Sequence, residues 1–583
     1  MDAGDEIRDA GPTEDADAAY DLKPIAAPRL AGTALRAFTG LLESRAGGSL
    51  LSRSLLKRAG VADLRRAAVD APHPLRPPLP GPVHPEPAPP VAAAALAALP
   101  TPQPAPQAGF AFETVADFTT AYHEQRTDPL AVAERLLAAC QRSEAHEPPL
   151  RILISQDPAD LLEQARASSE RWAAGRPLGP LDGVPLAVKD ELDQLGYPTT
   201  VGTAFLGRQN AAEDAWAVAR LRAAGALLLG KANMHEIGLG VTGVNPHHGA
   251  ARNPYDPSRV TGGSSSGPAA ACASGLCPIA LGADGGGSIR NPAALCGLVG
   301  LKPTFGRVSE RGAAPLCWSV AHVGPLAVSA RDAALAYGVI AGTDPGDPNS
   351  LGQPPPALDG FGRANLNGVR LGIYAPWFED AEPAVVAACR QTLAVLERAG
   401  AEVVAVTVPE LALLRVVHMV TIVSEMAAAH AQHVAADRGR YGHDTRINLQ
   451  LAARLSAVDY IQAQRLRVHL SGHFYRLLES VDAIVTPTTA CTAPAVPADA
   501  LATGESNLAG LERIMRFAPA ANLTGLPAIS FPAGYDQAGL PVGLQALGRP
   551  WEEDTLLGLA AVAEHSLARR RPRVHQRLLA DHE

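Results

Sequence analysis

Aromatic residues make up only 4% of this 583-residue chain, and basic charge is not in excess: 50 Lys and Arg stand against 59 Asp and Glu, a formal net charge of −9. No surplus of Lys or Arg is there to displace counterions from phosphates, which argues against general nucleic-acid binding. Cysteine is also scarce, with seven residues, an odd number, and no Cys-x-x-Cys pair. That usage excludes a disulfide framework and points to a reducing compartment. Cys272, Cys277 and Cys296 read as small buried core residues rather than metal ligands. No apolar run reaches the roughly 18 residues that span a bilayer, and the acidic, polar residues 1–21 do not resemble a secretory leader. A cytoplasmic protein is expected, soluble or in peripheral contact with a membrane.

What the chain does have is glycine beside serine. Residues 261–290 read TGGSSSGPAAACASGLCPIALGADGGGSIR, with Ser264, Ser265 and Ser266 after Gly262 and Gly263, and Ser288 after Gly285, Gly286 and Gly287. Consecutive glycines leave their N–H groups unshielded and permit positive φ, so the backbone can curl around a small anionic atom. That is the requirement of an oxyanion hole. Asn291 and Pro292 then signal a helix start, asparagine as cap and proline in the first turn, placing Ser288 ahead of a helix N-terminus after the strand-like run 278–282. A phosphate-binding loop of the NTPase type is excluded, since it needs Gly-Lys-Ser/Thr and no lysine follows these glycines.

A serine nucleophile needs a base, and histidine is the usual one. None of the seventeen histidines stands out: His235, His247 and His248 read as surface or structural residues. Upstream, LDGVPLAVKD ends an apolar run on Lys189. Burial there would depress the pKa of the lysine and free its amine to accept a proton, whereas a lysine that only snorkels from a strand end would do no chemistry.

Three separated motifs, DGVPLAVKD, TGGSSSG and GADGGGSIRNPAALCGLVGLKPTFGRVS, together resemble the amidase signature family of serine hydrolases. The resemblance implies a Ser-Ser-Lys triad in which Ser288 is the acylated nucleophile, Ser264 a bridging serine held by a cis peptide bond, and Lys189 the terminal base. It further implies an oxyanion hole built from the N–H groups of Gly285, Gly286, Gly287 and Ser288, and no metal or organic cofactor. Asp284 and Arg290 flank the nucleophile and are read as anchoring its loop through charge-assisted hydrogen bonds, with Ser265 in the same supporting shell. Ala283 stands where many members carry Thr or Ser, and Gly285 where many carry a larger residue. Beyond the signature, segments such as LGIYAPWFED, SAVDYIQAQRLR and LPAISFPAGYDQAGLPVGLQALGRPWEE are similar to the plant-type fatty acid amide hydrolases, from roughly residue 34 to 564.

Organisation along the chain is uneven. An acidic tail (1–32) precedes a leucine-rich segment (33–70), a proline-rich arm (71–109) and the catalytic domain (110–583). Leu35, Phe38, Leu41 and Leu42 recur at helical spacing, Gly47 and Gly48 interrupt, and Leu50, Leu51, Leu55 and Leu56 resume. Between residues 35 and 66 seven basic residues face two acidic ones, so this helical cap could lie on a membrane surface, or pack on the core or on a second subunit. Fourteen prolines between residues 72 and 106 predict an extended polyproline arm. Further on, strand-like segments at 226–230, 369–374, 402–408, 483–486, 528–531 and 542–547 alternate with helical ones at 215–224 and 384–399, which predicts an α/β fold with a large mixed sheet layered between helices.

The expected activity is hydrolysis of linear carboxylic amides, foremost fatty acyl amides such as N-acylethanolamines, by a homodimer. The alternatives are a general small- or aryl-amide amidase, the amidase subunit of a tRNA-dependent amidotransferase, and a non-catalytic membrane-associated binding protein.

Overall fold

The computed structural model describes residues 20–25, 27–68, 79, 83–100, 109–363 and 365–579. Eleven strands form one mixed sheet. In chain order they are β1 (Leu153–Ser155), β2 (Pro185–Lys189), β3 (Leu227–Ala232), β4 (Ile279–Ala283), β5 (Val299–Lys302), β6 (Val323–Ala327), β7 (Arg370–Ile373), β8 (Glu402–Ala405), β9 (Ala483–Pro487), β10 (Ala528–Tyr535) and β11 (Pro541–Gly548). Across the sheet the order is β8-β7-β9-β11-β10-β5-β6-β4-β2-β3-β1. β2 runs parallel to both β3 and β4, while the middle, from β11 to β6, is antiparallel. Both faces are covered, so β2, β3 and β4 are continuous apolar runs rather than alternating ones, and every residue in them is buried.

Helices layer both faces. Pro129–Ala145, Ala330–Ile340, Pro383–Arg398 and Glu553–His565 contribute to the larger apolar cluster with the strands. Elements that bear on the site are α1 (Gly32–Glu43), α2 (Arg45–Arg58), α3 (Val61–Arg66), α4 (Ser266–Ala273), α5 (Arg290–Leu295), α6 (Leu411–Ala429), α7 (His443–Ala452), α8 (Ala457–Ser480) and α9 (Pro519–Thr524). A second cluster joins α6, α8 and α9 to Val404, Ile484, Ala528 and Leu547 of the sheet. α6 is long and apolar enough to cross a membrane by length and composition, contrary to the sequence expectation that no such run exists, yet half of its apolar window is buried inside the fold. It is a core helix here.

The register of β2 against its neighbours decides the position of the site. Lys189 pairs with Ala232 of β3, and Val188 with Leu281 of β4, so the C-terminal ends of parallel strands bring Lys189 and Ala283 together. The carboxyl ends of parallel strands are where α/β sheets bind ligands.

The N-terminal helices depart from the predicted break. Ser44, not Gly47 and Gly48, separates α1 from α2, and its side chain accepts the Gly47 N–H at 3.0 Å as an N-cap. The two glycines sit in the first turn of α2, where a Cβ on either would come within 2.6 Å of the Leu41 or Leu42 carbonyl oxygen. Leu35 and Leu42 of α1 pack with Ile447 of α7. Glu43 binds Arg438 at 2.9 Å and Arg446 at 2.6 Å, and Arg65 grips Asp459 at 2.7 Å and 2.9 Å. The apolar face is thus buried in its own chain, leaving Leu41 at 52% and Leu50 at 74% exposure.

Of the proline-rich arm, residues 79 and 83–100 are described. The Val91 N–H donates to the Gly338 carbonyl at 3.1 Å and the Ala88 N–H to Thr343 Oγ1 at 2.9 Å, so this stretch lies along the catalytic domain. It includes a turn of helix, Ala93–Ala97, which buries Leu96. The rest of the expected polyproline segment, and residues 1–19 of the acidic tail, lie outside the described residues.

Candidate active site

Lys189 ends β2 fully buried. Its Nζ donates to Ser264 Oγ at 2.9 Å and to the Ala283 carbonyl oxygen at 3.2 Å, and stands 2.7 Å from Oε2 of Glu191. Apolar burial therefore does not by itself describe the surroundings of this amine: a buried carboxylate faces it. Glu191 was not singled out from the sequence, where it reads as one more acidic residue after the motif.

Ser264 precedes α4, and the Gly263–Ser264 peptide is cis. Its carbonyl accepts from the His235 N–H at 3.1 Å and the Ser266 N–H at 2.9 Å. The glycines before it answer a steric demand, since a Cβ on Gly263 would lie 3.0 Å from the Gly243 nitrogen and Gly262 has φ of +80°. Ser265 ties the two serine loops together: its Oγ donates to the Ala283 carbonyl at 3.2 Å and its N–H reaches the Ser288 carbonyl at 3.3 Å.

The loop that carries Ser288 is held from within by Asp284. One carboxylate oxygen accepts the Gly287 N–H at 2.6 Å, and the other accepts the Ile289 N–H at 3.1 Å. The Arg290 guanidinium clasps both oxygens at 3.1 Å and reaches Gln545 and Asn522 at 2.6 Å each. Burial opposes the charge on Asp284, but Arg290, Lys302 and the Asn522 amide outweigh it and hold the carboxyl well below its usual range. Asp284 and Arg290 are both fully buried, so they form an internal ion pair rather than a solvated one.

Two expectations change here. The Gly287 N–H is taken by Asp284, because the carboxylate folds back under the loop, and so it is not a free oxyanion donor. Among the described residues, the amides of Gly285, Gly286 and Ser288 have no hydrogen-bond partner. The helix after the loop does start where expected, but Asn291 lies inside α5 rather than capping it, and its side-chain atoms find no partner. Asp284, reading the N–H groups ahead of α5, takes the capping part. Ser288 keeps 8% exposure against 2% for Ser264 and none for Lys189, the order required if substrate meets Ser288 first.

Among the described residues, the rings of the histidines singled out from the sequence make no hydrogen bond to a serine hydroxyl. His247 Nε2 bonds Glu236 at 2.6 Å, His248 Nε2 bonds the Thr203 carbonyl at 3.2 Å, and His235 lies 3.5 Å from Asp444. One that sequence reading missed, His418 on α6, places Nε2 at 2.8 Å from the Gly285 carbonyl oxygen. No local signal marks it, because the contact spans 133 positions. A further trio, Glu410, His469 and His473, gathers one carboxylate oxygen and two ring nitrogens within 4.8 Å of one another. Arg476 donates to Nδ1 of His473, which leaves Nε2 of that ring as the N–H donor to Glu410 rather than a metal ligand.

Around the serines the wall is apolar. Met234, Ile237, Leu316, Cys317 and Met426 form one cluster with Ile422 packed against it. Leu316 and Ser264 both lie against Gly238, and Cys317 and Ile422 against Gly285. On the lysine side a cavity of about 260 Å³ is lined by Glu191, Ala283, Glu310, Cys317, Trp318 and His322.

Comparison with known proteins places this chain in a family. The sequence profile described as "Amidase" matches residues 134–557. The fatty acid amide hydrolase of Arabidopsis thaliana is 40% identical over 569 residues, 94% of either chain. A glutamyl-tRNA(Gln) amidotransferase chain of Chloroflexus aggregans is 36% identical over 455 residues, 73% of this chain and 91% of its own. Among solved structures, the native peptide amidase from Stenotrophomonas maltophilia aligns with a TM-score of 0.68 at 30% identity, covering 79% of this chain and 98% of that one. This chain belongs to the amidase signature family, and it is an amidase acting on amide C–N bonds.

Proposed function

We propose that the protein hydrolyses linear fatty acyl amides, N-acylethanolamines foremost, to free acid and amine through an acyl-enzyme on Ser288. Lys189 in its neutral form takes the proton of Ser264, which takes that of Ser288, and Ser288 attacks the amide carbonyl. The unengaged amides of Gly285, Gly286 and Ser288 receive the oxyanion. Glu191 stands beside the ammonium that forms on Lys189, and the relay returns the proton to the leaving amine. Water then hydrolyses the ester.

The observation that carries this reading is the buried Lys189–Ser264 hydrogen bond beside a glycine loop in which the amides of Gly285, Gly286 and Ser288 are unengaged and that of Gly287 is held by Asp284. The fatty acyl preference draws on the apolar cluster around the serines and on the full-length similarity to plant proteins of that name. The amidotransferase relatives match over a shorter stretch, which favours a free-standing amidase over a component of an amidotransferase. In this reading α1 and α2, with Leu41 and Leu50 outward, meet a membrane surface or a second copy of the chain.

A hydrolysis screen across acyl lengths and amine leaving groups tests it. Rates per enzyme should be highest for long-chain N-acylethanolamines. Equal or better turnover of short aryl amides would instead make the protein a general amidase.

A further inference from the structure

His418 is buried, with 2% of its surface exposed, and its Nε2 sits 2.8 Å from the Gly285 carbonyl oxygen. A carbonyl oxygen only accepts, so Nε2 carries the proton. Burial pushes the imidazole down to about 4, Arg467 and Arg290 act in the same direction, and the Gly285 carbonyl and Asp284 oppose them. At pH 7 the ring is neutral, and its single N–H is committed to this bond.

The Gly285–Gly286 peptide is not one of the cis bonds of the chain. In a trans peptide the C=O and the following N–H point in opposite directions. Drawing the Gly285 carbonyl toward α6 therefore turns the Gly286 N–H away from α6, and that N–H is one of the unengaged donors. Consecutive glycines have little intrinsic preference for one peptide orientation, so an external anchor has to set it. The loop has two such anchors: Asp284 holds the Gly287 N–H, and His418 holds the Gly285 carbonyl, with the Gly286 amide between them. The ring also packs close, since a Cβ on Gly286 would lie 2.9 Å from His418 Cε1 and 2.9 Å from Met515 Cε.

We propose that His418 is a positioning residue for acyl transfer: it holds the Gly285 carbonyl so that the Gly286 N–H is fixed toward the oxyanion formed at Ser288. The proposal rests on the reading of Ser288 as nucleophile.

The test compares His418→Leu, which removes the donor, with His418→Gln, which keeps one, on a short soluble amide. The readouts are kcat and KM, the inhibition constant of a trifluoromethyl ketone that forms a tetrahedral adduct, and thermal stability. His418→Leu should lose about 10–100-fold in kcat, somewhat less than loss of an oxyanion donor outright, with KM within about twofold and a parallel loss of ketone affinity. His418→Gln should recover most of both. The proposal is overturned if His418→Leu keeps kcat within about twofold. It is equally overturned if kcat falls in step with stability while ketone affinity is unchanged, or if a stably folded His418→Gln loses as much as His418→Leu. Turnover by Ser288→Ala would instead remove the nucleophile reading itself, so the two failures are separable.

Discussion

Nζ of Lys189 lies 2.7 Å from Oε2 of Glu191, and both groups are buried. Only a neutral amine can accept the Ser264 proton, and the proposed relay leaves an ammonium on Lys189 with this carboxylate as its buried counter-charge. Removing one partner of a buried charge pair leaves the other uncompensated. Glu191→Gln should therefore lower kcat by about 10-fold or more while leaving KM for a short amide nearly unchanged. A kcat within about twofold of the unsubstituted protein would show that the carboxylate does not support the proton relay.

Asp284 and Arg290 face each other inside the core, so removing one charge strands the other. Asp284→Asn should destabilise the protein by about 3–5 kcal/mol, as for other broken buried pairs. It should also loosen the hold on the Gly287 N–H and lower kcat. Denaturant unfolding of the variant measures the first effect, and a loss below about 1 kcal/mol would contradict the buried pairing.

The low value of His418 has a consequence for stability in acid. The folded ring titrates at about 4, against about 6.5 when exposed in an unfolded chain. Between these values the unfolded state binds more protons, so stability rises with pH through that window, is complete above it, and is lost as pH falls toward 4. His418→Gln should abolish this component. The melting temperature of the unsubstituted protein relative to the variant should be higher at pH 7 than at pH 4.5, and a difference independent of pH would contradict a neutral buried ring.

Much of this site was legible in the sequence because it is local. The apolar run into Lys189, the glycines before Ser264 and the triple glycine before Ser288 each lie within a few residues of the group they serve, and the strands at 483–486 and 528–531 read out to within a few positions. What escaped depends on tertiary contacts. His418 meets Gly285 across 133 positions, Asp284 claims a glycine N–H that a linear motif counts as free, and the Ser44 break was hidden because paired glycines are a stronger local signal than a lone serine.

The N-terminal helices carry the substrate-length prediction. A long acyl chain needs a continuous apolar path, each buried methylene contributing roughly 0.8 kcal/mol, whereas a short amide needs only the serines and the loop amides. Deleting residues before about Val69 should impair long-chain hydrolysis more than short-chain hydrolysis. Equal losses in a truncated protein that remains folded by circular dichroism would contradict a role for α1 and α2 in the acyl path.

The most direct measurement is intact-protein mass spectrometry after exposure to a fluorophosphonate, followed by peptide mapping, with the unsubstituted protein beside Ser288→Ala, Ser264→Ala and Lys189→Ala. The expected result is a single adduct on Ser288, none in Ser288→Ala, and labelling slowed by several orders of magnitude in the other two variants while they remain folded. An adduct on another residue, or amide turnover by Ser288→Ala at the normal rate, would contradict the acyl-enzyme on Ser288.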